Sequence, residues 1–161
     1  MATRAFERRP IRAVRLAASD DFEGWRDAAR ALAMIRVAPE EVVWQVAGEA
    51  DLFGAPAPAP PALAGAFSVP RAFLELAEKV VCHRDPERFA LLYAFLCRLR
   101  DRTRAMEDGA DPLLRRLELM AKAVRRDMHK MRAFLRFREV ADDGGPRYVA
   151  WFEPEHHVVR A

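Results

Sequence analysis

The chain has 161 residues, 52% apolar and 32% charged, which is the size and balance of one ordinary globular domain rather than a disordered chain. No apolar run approaches the ~18 residues of a membrane span, because Arg or Asp interrupts every candidate, so no membrane association is expected. The arginines of Met1–Arg15 have no apolar block behind them and do not read as a secretory signal. Cys82 and Cys97 both fall inside apolar helical pattern, which fits reduced thiols in a cytoplasm. With no Cys-x-x-Cys pair, a Cys-based zinc or iron–sulfur site is excluded, and no cofactor is expected.

Net charge is only +3, but 24 of the 27 basic residues are Arg. A high-GC genome explains that bias, so composition alone does not argue for nucleic acid. Distribution is more informative. Residues 1–68 hold eight basic and nine acidic residues, whereas residues 69–161 hold 19 and 15. Between Ala121 and Arg138, seven basic residues face a single acid, Asp127.

In chain order, Ile11–Leu16 alternates apolar and basic residues and predicts a short strand. Asp20 followed by Glu23 resembles a capping box, opening a helix with Phe22, Trp25, Ala29 and Leu32 on one face. The run Val42–Val46 favours a strand. The stretch 55–61 (APAPAPP) is an internal spacer of polyproline II type within one domain spanning residues 1–161.

Beyond the spacer, three helices announce themselves by a proline near the first turn: at Ser68–Pro70, at Asp85–Pro86 and at Asp111–Pro112. In the second, Phe89–Leu99 (FALLYAFLCRL) is apolar almost all round, which makes it the central helix. The third runs to about Phe134. Phe137–Val140 and Arg147–Phe152, separated by Asp142–Pro146, predict a β-hairpin with a long loop. His157–Val159 is a candidate for a further strand. The expected fold class is α+β: a predominantly helical layer packed on a small antiparallel sheet.

The third helix has two opposed faces. Leu113, Leu117, Met120, Val124, Met128, Met131 and Leu135 fall within a sector of roughly 80°. Opposite them stand Arg115, Lys122, Arg125, Arg126, His129, Lys130, Arg132 and Arg136. One explanation is a merely solvated face, which Glu118 shares. The other is a polyanion: like charges three or four residues apart destabilise a helix unless an outside anion neutralises them, and guanidinium forks suit phosphates. The hairpin adds Arg138 together with Tyr148, Trp151 and Phe152. These rings can close the core or stack on exposed bases. Strand alternation sends Trp151 and Phe152 to opposite sides, so one of them belongs to the core. A last cluster, Trp151–His157 (WFEPEHH), joins carboxylates to imidazoles. His129, Glu155 and His156 form the least remote catalytic or metal group, although the spacing matches no recognised metal pattern.

The stretches Met120–Val140 (MAKAVRRDMHKMRAFLRFREV) and Tyr148–Val159 (YVAWFEPEHHVV) resemble the bacterial "probable DNA metabolism protein" family, a domain of unknown function. Further matches lie in Asp21–Arg30, Val69–Phe73 and His83–Phe89. The resemblance implies genomic context: members are fused to uracil-DNA glycosylase-like domains or encoded beside a putative DNA-repair radical SAM protein. The family pattern continues past Val159, so the chain is expected to be C-terminally truncated relative to it. The combined expectation is an accessory module of DNA repair that binds single-stranded or damaged DNA through Lys122, Arg125, Arg126, Lys130, Arg132, Arg136, Arg138 and Trp151. The alternatives are a protein-interaction module docking the radical SAM or glycosylase-like enzyme, and a metal-dependent nuclease or lyase using the Glu-His cluster.

Overall fold

A computed structural model describes residues 11–48, 67–102, 104–142 and 145–158. The spacer at 55–61 lies outside the described residues. The first strand, β1 (Arg12–Leu16), is followed by α1 (Phe22–Met34) and β2 (Val42–Val46). Then come α2 (Arg71–Val81), α3 (Arg88–Asp101), α4 (Pro112–Phe134) and the strands β3 (Arg138–Asp142) and β4 (Gly145–Val149). The α+β class is as expected. The arrangement of the strands departs from expectation. β1 pairs with β2 in parallel, from Arg12 opposite Val42 to Leu16 opposite Val46. The reason is α1, which returns the chain to its starting end, as parallel pairing requires. Among the described residues, β3 and β4 are the antiparallel pair.

Asp21 rather than Asp20 caps α1, accepting hydrogen bonds from the Gly24 and Ala17 amides, both at 2.9 Å. A Cβ at position 24 would collide with that carboxylate, so glycine permits the cap. Helix α3 is central, burying Phe89, Leu92, Tyr93, Phe95, Leu96 and Leu99 and packing on α1, α2, α4 and β2. Around it Trp25, Trp44, Phe73, Phe89, Tyr93 and Phe95 form a chain of ring contacts at 5.8–6.4 Å between centroids. Such pairs contribute about 0.5–1.5 kcal/mol each beyond area burial. Their polar atoms are mostly answered: Tyr93 Oη donates to the Val37 carbonyl at 2.8 Å, and Trp25 Nε1 to that of Phe89 at 3.3 Å.

Arg88 is buried at the start of α3 and works as a three-way clamp. Its guanidinium donates to the carbonyls of Val81, Asp85 and Ser19 at 2.8–3.0 Å and lies 4.2 Å from the Phe89 ring centroid. It thereby ties the end of α2 to the segment before α1. Both cysteines are buried and free, and burial raises both thiols above their ordinary value. No helix among the described residues is long and apolar enough to cross a membrane.

Two C-terminal boundaries differ from the sequence reading. The hairpin closes more tightly, with Asp142 opposite Gly145, because Gly145 takes a φ of +113° that other residues resist. His157–Val159 forms no strand across its described residues: Glu155–His157 is a bend that follows Pro154.

Candidate nucleic-acid interface

Asp111 caps α4 by accepting from the amides of Leu113 and Leu114, and Pro112 takes the first helical position. One face buries Leu114, Leu117, Met120, Ala121, Val124 and Asp127 against α2 and α3. Arg115, Lys122, Arg125, Arg126, His129 and Arg132 are exposed. At 100° per residue they occupy an outward arc about 120° wide, and Arg115 to Arg132 spans about 26 Å along the axis.

The pairing of these cations differs from that of many arginines elsewhere, although Arg12, Arg84 and Arg102 also hold no carboxylate among the described residues. Arg26, Arg71, Arg98, Arg100, Arg104 and Arg116 each hold an Asp or Glu in ion-pair range. Arg116, one turn into α4, holds both Asp85 and Glu87. Lys122, Arg125, Arg126, Arg132 and Arg138 have no such partner among the described residues. Lys130 pairs with Glu155 at 3.3 Å, which holds that carboxyl below the ordinary glutamate value. Arg136 donates to the carbonyls of Ala133 and Leu135 at 2.9 and 3.1 Å, capping the end of α4. Beside the row, a groove of about 520 Å³ between α2 and α4 is lined by Leu76, Arg115, Lys122 and Arg125, with Glu75 and Glu118 also present.

The hairpin that follows and its flanks carry aromatic residues in the open; β4 ends at Val149, short of the expected Phe152, so Trp151 and Phe152 follow the strand rather than alternate along it. The hairpin's strands pack mainly on one another and, among the described residues, have no extended packing on a helix. Phe137, Tyr148 and Trp151 are exposed, Trp151 at 85%, and Phe152 is half-buried. Of the two adjacent rings, Phe152 is therefore the one turned partly inward.

Behind the row, the segment 155–158 straps the end of α2 to α4. The His156 amide donates to buried Asp127 Oδ2 at 3.0 Å, and the His157 amide to the Cys82 carbonyl at 2.8 Å. Ser19 Oγ and His157 Nδ1 are hydrogen-bonded at 3.3 Å, and Val158 is sealed between Cys82 and Val124. The buried His156 ring stacks on His83. His156 Nδ1 accepts the Arg84 amide at 3.3 Å and His83 Nδ1 accepts the Asp85 amide at 3.0 Å. Those bonds require unprotonated Nδ1 atoms and fix both rings, when neutral, as Nε2–H tautomers. Burial lowers both imidazoles below the ordinary histidine value. Asp85 is the converse: burial alone would raise it, but the Glu87 amide and Arg116 hold it down.

His129 is set apart from His156, whose ring feels the charge of Glu155. Asp127, which holds His156, projects from α4 about 160° away from His129, and Glu155 is engaged by Lys130. Among the described residues no group of three or more His, Cys, Asp or Glu side chains is placed to hold a metal. Sequence reasoning missed His83 and Asp127 as partners of the strap. The motif at His83–Phe89 was a signal, but its meeting with His156, 73 positions further on, depends on the fold.

The fold and the surface thus define a small α+β domain whose longest helix presents an acid-poor cationic flank. Residues 86–161, just under half of the chain, match the family described as a domain of unknown function (DUF4130). No curated protein and no solved structure matches the chain. The matched segment contains α3, α4, the hairpin and the strap, whereas Cys82 and His83 lie just before it.

Proposed function

We propose that the chain is an accessory module of bacterial DNA repair or metabolism, acting in the cytoplasm, that binds DNA along the outward flank of α4. In this reading Lys122, Arg125, Arg126, Lys130, Arg132 and Arg136 contact phosphates, Arg138 continues the path onto the hairpin, and Trp151 offers its ring to a base. The observation that carries it is the contrast in pairing. Arg26, Arg36, Arg71, Arg98, Arg100, Arg104 and Arg116 hold carboxylates, whereas Arg125, Arg126 and Arg132, together along one helix flank, do not; Arg12, Arg84 and Arg102, which also hold none among the described residues, are scattered over separate elements. Mutual repulsion in such a row costs a few tenths of a kcal/mol per pair; phosphate binding offsets that cost and gains counterion release.

Fluorescence anisotropy with labelled oligonucleotides at low salt tests the reading. Binding that weakens steeply with salt and is lost in an Arg126→Glu/Arg132→Glu double variant supports it. Absence of binding, or binding indifferent to the double variant, sinks it. A second reading, a module that docks a radical SAM or glycosylase-like repair enzyme, draws on the exposed apolar residues Phe137, Val140, Tyr148 and Val149 of the hairpin. Co-purification with such an enzyme in nuclease-treated extract would favour it over DNA.

A further inference from the structure

We infer that the hairpin selects the strand type: β3, β4 and Trp151 form a stacking platform for an unpaired nucleic-acid strand leaving the α4 row. The inference rests on the DNA-binding reading above and adds the class of ligand.

Three observations carry it. The first is the fate of the tryptophans. Trp25 is buried and Trp44 half-buried, both within the ring cluster of the core, whereas Trp151 is 85% exposed and makes no ring contact among the described residues. Among the described residues nothing packs on this indole, unlike the other two.

The second is register. Residues directly opposed across a ladder share a face. Arg138 lies opposite Val149 and Val140 opposite Arg147, so Arg138 shares one face with Val140 and Val149, and Arg147, which has an interaction of its own, lies on it too. Glu139 and Tyr148, also opposed, belong to the other. A cation-and-apolar face suits a flexible strand that offers phosphates and bases in alternation.

The third is support. A two-stranded ribbon is marginal alone in water, and here, among the described residues, no helix packs extensively on it. A bound strand would bury the exposed Val140 and Val149 side chains. A duplex cannot do the same work, because its base faces are stacked inside and only edges and phosphates are presented. Charge complementarity with Arg136 and Arg138 favours nucleic acid over an apolar protein partner for this face.

The test uses the full chain with a thymidine oligonucleotide of about 16 residues and a duplex of equal length, read by anisotropy and tryptophan emission. The single strand is expected to bind more tightly and to quench emission. Trp151→Ala should weaken single-strand binding about tenfold, remove the quench and leave duplex binding within about twofold. Trp151→Phe should restore most of the affinity, which a purely structural role for the indole would not predict. Circular dichroism checks that the variants fold. Equal affinity for the two forms, an equal loss on both, or no loss in Trp151→Ala overturns the platform while leaving the phosphate row intact, provided that Arg126→Glu/Arg132→Glu still abolishes binding. A protein partner lost in Trp151→Ala while oligonucleotide binding is unchanged also overturns it. No binding of either form overturns both readings.

Discussion

His83 and His156 stack with ring centroids 4.4 Å apart and planes inclined by 29°, joining the turn after α2 to the C-terminal strap. Both rings accept a backbone amide at Nδ1, so a proton added there must break a hydrogen bond that holds the strap. The groups facing the pair are Arg84, Asp85 and Arg88 beside His83, Asp127 and Lys130 on α4, and Glu155 on the strap. They include both signs, and burial is the largest influence on each ring.

Acid should therefore loosen the domain. Both folded-state values lie below the ordinary 6.5, so the unfolded chain takes up protons that the folded chain resists. This contribution is complete above about pH 6.5 and is lost as pH falls through the depressed values. Urea midpoints should hold steady above about neutral pH and fall progressively towards pH 5. His83→Asn/His156→Asn keeps an acceptor near each Nδ1 and removes the titration, so its profile should be flatter. Equal slopes for the double variant and the parent would refute the assignment.

Asp127 is the strap's anchor on α4. It is buried and accepts the His156 amide. Asp127→Ala leaves a buried donor unpaired and should cost about 1–3 kcal/mol in urea unfolding, whereas Asp127→Asn retains an acceptor oxygen and should cost less. A negligible effect of the alanine variant would mean that the strap is dispensable.

Val158 closes the same contact from the other side, fully buried against Cys82 and Val124. Val158→Ala removes two methyl groups and should cost about 1–2 kcal/mol. Because the strap covers Cys82, the variant should also speed its modification by a thiol reagent, while Cys97, inside α3, stays slow. Parallel acceleration of both thiols would indicate global unfolding instead.

Elements with a local cause are legible in the sequence. Asp111–Pro112 fixes the start of α4 through cap and proline, and the unbroken apolar run from Phe89 to Leu99 places α3 at the centre. Local ambiguity explains the misplaced cap of α1, since Asp20 and Asp21 offer the same chemistry and only the approach of Gly24 decides. The parallel pairing of β1 with β2 was hidden because a short alternating strand carries no sign of direction. Of the candidate site, the cationic flank of α4 follows from helical periodicity, but which cations keep a carboxylate does not. Arg116 is neutralised by Asp85 and Glu87 from about 30 positions away, and His83 meets His156 over a longer interval still.

That dependence on distant acids gives the sharpest test of the α4 row. Glu155 is the acid that reaches one of its cations, Lys130, among the described residues. The side chains are 38% and 58% exposed, so solvent screens the pair and it contributes little to stability. Glu155→Gln should leave the unfolding midpoint nearly unchanged and release Lys130 to a phosphate. DNA affinity at low salt should then rise by about twofold to tenfold, with the slope of log affinity against log salt steeper by up to about one unit. If the row only keeps the domain soluble, the substitution changes neither quantity. Titrations of parent and Glu155→Gln at several salt concentrations separate the two outcomes, because only an anion bound at Lys130 responds to the loss of its internal competitor.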